Sequence, residues 1–278
     1  MNHETVIRLG FFFGMLAMMV AWESLAPRRR LTTPKPARWI ANLGMVFLGT
    51  AAVRLVVPIT AIGMALLARE RGWGLLNNLD LPHWLALVAG VLALDFVIYL
   101  QHVMFHAVPA FWRLHMMHHS DMDFDVTTGV RFHPIEIILS MGIKLAAIVV
   151  LGPSALAVLV FEVTLNATSL FNHGNVRLPA GLDRVLRLFV VTPEMHRVHH
   201  SNIARETNSN FGFNFPWWDR LFGTYRAQPD KGHEAMTIGL DQFRDPGKLT
   251  LLRLLAQPFV GQLGDYPVNR RGGKENDQ

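Results

Sequence analysis

The chain has 278 residues, of which 51% are hydrophobic and only 17% are charged, a balance that is typical of membrane proteins. It contains no cysteine, which excludes disulfides, cysteine-ligated iron–sulfur clusters and cysteine-type zinc sites, so a bound metal would need nitrogen and oxygen ligands. The formal net charge is +5, but the basic residues lie beside apolar runs, which favours anionic lipid headgroups over nucleic acid as their partners.

Four or five apolar stretches are long enough, or nearly so, to cross a bilayer whose core needs roughly 20 helical residues. They predict helices at about Val6 to Leu25, Trp39 to Leu67, His83 to Phe105, Ile135 to Leu151 and Ala155 to Phe171. The second stretch is too long for one straight crossing and contains Arg54 and Pro58 near its middle, so we expect a kink or a surface-lying portion there. Only Gly152–Ser154 separate the last two stretches, which predicts a tight helical hairpin.

The loop after the first apolar stretch predicts the orientation of the chain. Residues 28–38, RRRLTTPKPAR, contain five cations, and such a loop normally stays in the cytoplasm. Pro27 and the three arginines favour a membrane anchor over the alternative of a cleaved signal peptide. Counting crossings from this loop puts all histidine clusters on the cytoplasmic face. We therefore expect an all-α polytopic integral membrane protein, with about four to five apolar helices and a cytoplasmic histidine-rich helical cap.

Eight of the thirteen histidines fall in three five-residue blocks. The blocks are HVMFH with His102 and His106, HMMHH with His115, His118 and His119, and HRVHH with His196, His199 and His200. Side chains three or four residues apart share one face of a helix, whereas those of neighbouring residues point about 100° apart. Because one ion accepts at most about six ligands, the eight imidazoles imply two metals. The residue types alone leave Zn, Cu, Fe and Ni open.

Polar residues on the third apolar stretch strengthen the prediction of a metal site. Asp95, Tyr99, His102 and His106 share one helical face. An Asp inside an apolar span needs a partner, so we expect Asp95 to hold a ligand histidine through its second ring nitrogen. Tyr99 is a second candidate to hold a ligand histidine in place without binding the metal itself. The alternative for Asp95 is an ion pair with Arg54.

Three residues in later segments are further candidates. His173, in FNHGN at the returning end of the predicted hairpin, is expected to be a ninth ligand. His133 precedes Pro134, which opens the next helix, so a role beside the ligands or at the helix start is favoured over a ligand role. Asn175 is a candidate to support a ligand, with a simple turn residue as the alternative.

The three blocks, read as HxxxH, HxxHH and a later HxxHH, resemble the fatty acid hydroxylase and sterol desaturase superfamily of integral membrane di-iron proteins. The segments RFHPIE (131–136), NHGN (172–175) and WDRLFGTY (218–225) support this resemblance, which covers about Leu92 to Arg226. It implies a cofactor of two Fe ions, O2 as the oxidant, and insertion of a hydroxyl or a double bond into a lipid carbon chain. No catalytic residue beyond the metal ligands is expected.

The resemblance also predicts the partners and the division of the chain. Members of the family often receive electrons from a cytochrome b5-like or ferredoxin protein, and the absence of cysteine and of a glycine-rich dinucleotide loop indicates a separate donor here. We expect an N-terminal transmembrane hairpin over 1–80, a histidine-box di-iron domain over 81–228, and a C-terminal cytoplasmic segment over 229–278 with a disordered tail from Asn269.

The function expected from these observations is hydroxylation of a C–H bond in a fatty acyl or sterol-like lipid, at a site facing the cytoplasm, in the inner membrane if the source is bacterial. A desaturase acting on the same class of lipid is the main alternative. A metal transporter is a weaker alternative, because transporters place their ligands near the bilayer midplane, whereas these blocks follow the ends of the apolar stretches.

Overall fold

The computed structural model describes residues 3–260 and 262–268, which are helical with two isolated β-bridges and no sheet. The long elements are α1 His3–Leu25, α2 Lys35–Val56, α3 Ala61–Glu70, α4 His83–Ala107, α5 Pro109–His119, α6 Pro134–Leu151 and α7 Ala155–Asn172. Shorter helices are α8 Ala180–Leu186, α9 Pro193–His199, α10 Ala204–Thr207, α11 Trp217–Leu221, α12 Gly232–Ala235 and α13 Leu251–Ala256. Single 3₁₀ turns lie at Leu75–Asn78, Thr128–Val130, Pro246–Lys248 and Gln257–Phe259. The all-α prediction is confirmed.

Five segments are long and apolar enough to cross a membrane: His3–Leu25, Lys35–Asn78, His83–Ala107, Pro134–Leu151 and Ala155–Asn172. They match the five apolar stretches of the sequence. The break expected in the second stretch is confirmed, because α2 ends at Val56 and α3 begins at Ala61. Pro58 lies in between and lacks the backbone N–H that a continuous helix would use. The Thr60 side chain then starts α3 by accepting a hydrogen bond from Gly63 N at 3.0 Å.

The short turn predicted between α6 and α7 is confirmed, although the two helices do not pack along each other. Gly152 ends α6 with φ 66°, a left-handed conformation that is strained for any residue with a Cβ. Two residues later, Ser154 starts α7 by accepting a hydrogen bond from Ala157 N at 3.1 Å. This turn joins the two helices, and both of them pack against α3 and α4.

The helices α4, α6 and α7 form the centre of the bundle. Helix α1 packs along α7, α2 packs along α6, and α3 packs against both α6 and α7. Buried apolar side chains fill the centre: Leu94, Ile98, Ile148, Val158 and Phe161. Large apolar side chains also point outward: Phe11, Phe13, Ile40, Phe47 and Leu55. Such an outer surface suits lipid, where apolar side chains need no cover.

The basic loop 28–38 lies at the same end of the bundle as the histidine blocks. Arg38 donates two hydrogen bonds to Asp121, at 2.7 and 2.9 Å, and a third to Asp125 at 2.7 Å. Thr32 N and Thr33 N donate to the carboxylate of Asp123 at 2.8 and 2.9 Å. These buried bonds tie the loop to the chain that directly follows the second histidine block.

The residues after 228 pack against the rest of the molecule as far as they are described. Helix α13 lies against α2, and the 3₁₀ turn Gln257–Phe259 lies against α5. The expected disordered tail, from Asn269 onward, lies outside the described residues. The division at residues 80 and 228 stays a prediction.

Candidate metal centre

Four segments bring nine histidines to one end of the bundle. The last turns of α4 and α5 carry the first two blocks, the end of α7 leads into His173, and α9 carries the last block. Helix α9 is positioned by its own start, since Pro193 is its first residue and the Thr192 side chain accepts a hydrogen bond from Met195 N at 3.3 Å. All nine histidine side chains are buried.

The histidines form two groups, in each of which one nitrogen per ring lies within 4.8 Å of all the others. The first group, called group A, contains His102, His106, His115, His119 and His199. The second, group B, contains His118, His173, His196 and His200. The structure thus brings together all nine predicted ligands and divides them between two centres.

Hydrogen bonds fix the protonation of six of these rings. In each, Nδ1 lies 2.7–3.1 Å from an oxygen acceptor, so Nδ1 carries the proton and donates it, and Nε2 keeps a free lone pair. The acceptors are Phe211 O for His102, Asn208 Oδ1 for His106, Glu136 Oε1 for His115, Arg131 O for His118, Ser169 O for His173 and Ser209 O for His199.

The free lone pairs face each other inside the groups. His102 Nε2 lies 3.1 Å from His115 Nε2 in group A, and His118 Nε2 lies 3.2 Å from His173 Nε2 in group B. With both Nδ1 atoms already donating elsewhere, neither pair can form a hydrogen bond, and two lone pairs at this distance repel. Neighbouring nitrogens that each lie about 2.0–2.1 Å from one ion are separated by about 3 Å. The residues of both groups therefore fit a shared cation.

Several ring nitrogens lack any other partner. His106 Nε2, His199 Nε2 and both ring nitrogens of His119 and His200 are buried without a hydrogen bond within the described residues. A buried polar atom normally has a partner, because its lost hydration is otherwise uncompensated. Metal coordination would supply the missing partner in both groups.

Burial keeps the rings outside the membrane helices neutral. It lowers the pKa of His173 and of His199 to about 3. Burial, reinforced by neighbouring imidazoles, also lowers the pKa well below the usual 6.5 in four others: His118, His119, His196 and His200. A neutral imidazole is the form that binds a metal, so these rings are ready ligands at neutral pH.

The expectation for Asp95 is corrected by the structure. Its carboxylate accepts a hydrogen bond from Trp218 Nε1 at 2.7 Å, not from a histidine, and no ion pair joins it to Arg54 among the described residues. The Tyr99 hydroxyl likewise has a partner other than a histidine, since it lies 3.0 Å from Thr224 Oγ1. A shared helical face placed both residues on the same side of α4 but could not show that α11 and the turn after it cover them.

Two loop candidates have structural positions away from both groups. His133 starts α6, its Nδ1 accepting from Ile135 N at 3.2 Å, while its Nε2 lies 3.2 Å from Leu255 O. The structure thus places His133 at the start of α6, one of the two positions favoured for it. The Asn175 side chain bonds to the backbone of Arg29, at 3.0 Å to N and 2.8 Å to O, so it organises the loop and not a histidine.

Glu136 is the supporting residue that the sequence reasoning missed. Its Oε1 accepts the Nδ1 proton of His115 at 2.7 Å, the role expected of Asp95. The signal was present in RFHPIE, where Glu136 lies one helical turn after His133 at the start of α6. The other groups that accept an Nδ1 proton are mostly backbone carbonyls. Because every residue has a backbone carbonyl, the sequence does not show which of them take this role.

A cavity of about 640 Å³ connects group A with the membrane part of the bundle. Its walls come from α1, α2, α4, α6 and α7, and His102, His115 and Glu136 border it. Apolar side chains such as Ile98 and Phe213 also line it. The cavity can therefore hold an apolar chain against the histidines.

Comparison with known proteins relates the chain to lipid-modifying enzymes. Residues 87–224 match the family model described as fatty acid hydroxylase. The chain is 30% identical over 194 residues to ornithine lipid hydroxylase OlsE of Rhizobium tropici, covering 70% of this chain and 54% of that protein. It is 28% identical over 157 residues to alkylglycerol monooxygenase of Homo sapiens, covering 55% and 33%.

A further relative is a very-long-chain aldehyde decarbonylase of Oryza sativa subsp. japonica, 29% identical over 177 residues that cover 58% of this chain and 28% of that protein. The matched regions thus span about half or less of the length of these curated relatives. No solved structure matches the chain.

Proposed function

This chain belongs to the fatty acid hydroxylase family through residues 87–224, and we propose that it is a membrane-bound di-iron oxygenase that hydroxylates a C–H bond of a lipid. The observation that carries the proposal is the pair of buried histidine groups at the end of a cavity between apolar helices. The names of two relatives, a hydroxylase and a monooxygenase, favour hydroxylation over desaturation.

Group A holds one iron and group B holds the other. When bound, the two irons supply the activation of O2 that oxidation of an unactivated C–H bond requires. The chain orients the ligands, because Glu136 and the backbone carbonyls hold the Nδ1 protons and leave the Nε2 lone pairs pointing into the groups. Apolar walls at Ile98, Val130 and Phe213 hold the lipid chain beside His102 and keep water away from the reacting carbon.

Lipid analysis tests the reaction directly. Cells that contain the protein, grown in air, are expected to accumulate a lipid that carries one additional oxygen atom, and cells without the protein lack it. A product that has lost two hydrogens instead would support the desaturase alternative. Identical lipid profiles in both kinds of cell would contradict the proposal.

The metal ligands are tested by one substitution in each group. His199→Ala removes a ligand of group A and His118→Ala one of group B, so each variant is expected to lose iron and all lipid oxidation while still inserting in the membrane. His83→Ala is the matched control, because His83 is exposed at the start of α4, far from both groups along that helix. Full activity in either ligand variant would refute the assignment.

The electrons come from a separate cytochrome b5-like or ferredoxin donor that approaches the histidine end from the cytoplasm. This orientation is supported by the five cations of loop 28–38, which lies at the histidine end of the bundle. Because the chain has no cysteine, single cysteines can report the side of the membrane. A membrane-impermeant maleimide should label Asp80→Cys, but not Arg30→Cys, in intact cells; the reverse pattern would overturn the orientation.

A further inference from the structure

Charged side chains border the cavity at some distance from the histidines. Arg8 of α1, Arg54 of α2, Lys144 of α6 and Glu162 of α7 all line it. Lys144 Nζ donates to Glu162 Oε1 at 2.9 Å, and Arg8 Nη1 lies 3.1 Å from Glu162 Oε2. Glu162 is only 2% exposed, although it lies within an apolar helix. Ionisable groups inside membrane helices are costly, and they usually mark a functional site.

The charges in this cluster do not balance. One carboxylate, Glu162, already serves two cations, Lys144 and Arg8. Arg54 lines the same cavity at its exposed edge and has no ion pair within the described residues. A purely structural clamp between α1, α6 and α7 would need no third cation. The surplus positive charge instead favours an anion that enters the cavity from outside the protein.

The cluster lies at a defined distance from the histidines. Glu136, which contacts His115, and Lys144 are both on α6 and eight residues apart, which corresponds to about 12 Å along the helix axis. An extended chain advances roughly 1.2 Å per bond, so this distance corresponds to on the order of ten bonds. A lipid whose polar group is held by the cluster can therefore extend its chain to group A.

We propose that Arg8, Arg54, Lys144 and Glu162 form a binding site for an oxyanion, the phosphate or carboxylate of the lipid substrate. This inference rests on the proposed function, because it names the polar group of the lipid that group A oxidises. Lys144 and Arg54 attract the anion, while Glu162 holds Lys144 and Arg8 in position. Anchoring the polar group then decides which carbon of the chain lies beside His102 and His115.

Binding without turnover tests the site on the full chain in micelles of a neutral maltoside detergent, which brings no competing phosphate or carboxylate. The probes share one octadecanoyl chain and differ in their polar group: octadecanoate, the lysophosphatidate and the neutral monoacylglycerol. A charge-assisted hydrogen bond predicts that an anionic probe binds about tenfold or more tightly than the neutral one. The tighter of the two anionic probes identifies carboxylate or phosphate as the natural group. Equal binding of all three probes would overturn the proposal.

Single substitutions test whether these cations cause the preference for an anionic probe. Arg54→Gln removes a cation that has no partner in the described part of the protein, so the fold should be unaffected, and the preference for the anionic probe should fall about tenfold. Lys144→Gln should have a similar effect. Arg71→Gln is the matched control, because Arg71 is exposed and does not line the cavity. If Arg54→Gln keeps the full preference, the proposal is wrong even when Lys144→Gln does not fold.

The position of oxidation gives an independent readout. If the cluster anchors the polar group, the oxidised carbon keeps its number counted from that group when the chain is lengthened. If the other end of the chain is anchored, the position stays constant counted from the terminal methyl, and the proposal fails. Because the binding measurements need neither iron nor O2, they stand even where no oxidation is detected, which separates failure of this site from failure of the proposed function.

Discussion

Replacement of Glu136 tests how the structure prepares group A for metal. The Glu136 carboxylate accepts the Nδ1 proton of His115 at 2.7 Å and is buried. Loss of such a supporting carboxylate typically weakens metal affinity or activity by roughly 10- to 100-fold, or about 1.4–2.7 kcal/mol. Glu136→Gln keeps an amide oxygen as acceptor and loses only the charge, so we expect the lower value. Glu136→Ala removes both the acceptor and its charge, so we expect the upper value.

The assay is iron retention against a graded series of chelator concentrations, followed by lipid oxidation at saturating iron. Asp95→Asn is the control, because Asp95 is bonded to Trp218 and touches no histidine. We expect Asp95→Asn to retain iron as the unsubstituted protein does, since an amide oxygen can still accept the indole proton. If both Glu136 variants also retain iron normally, or if Asp95→Asn loses as much as they do, the assignment of the supporting carboxylate is refuted.

Two further predictions concern stability. The lowered pKa values of the buried histidines, about 3 for His173 and His199, mean that the unfolded chain takes up protons first as pH falls below about 6.5. The unfolding free energy of the metal-free protein should therefore fall by up to about 1.4 kcal/mol per pH unit for each such histidine, down to about pH 3. The measurement is the thermal midpoint, and a midpoint that is unchanged from neutral pH to about pH 5 would contradict this prediction. Gly152→Ala should lower the thermal midpoint, because φ is 66° and a Cβ would lie 2.9 Å from Trp73 O, whereas Gly142→Ala in open helix surface should not lower it.

The sequence predicted those features that depend on local spacing. The apolar stretches, the break at Pro58 and the turn at Gly152 follow from hydropathy and from backbone restrictions that act within a few residues. Spacing together with helical geometry also predicted two metal sites, but it left open whether His115 shares its site with His118 or with His119. The partner of Asp95 could not be predicted, because Trp218 is 123 residues away along the chain and nothing in α4 indicates which segment covers that face.

The division of the histidines between groups A and B explains why the HxxHH pattern occurs twice. In α5, His115 and His119 are four residues apart and belong to group A, while His118 points to group B. In α9 the assignment is reversed, since His196 and His200 belong to group B and His199 to group A. Each HxxHH block therefore contributes to both groups, and a shift of either block would displace histidines of both. The two groups are thus built on the same helices, and the bonds from loop 28–38 to Asp121 and Asp123 hold the chain directly after α5.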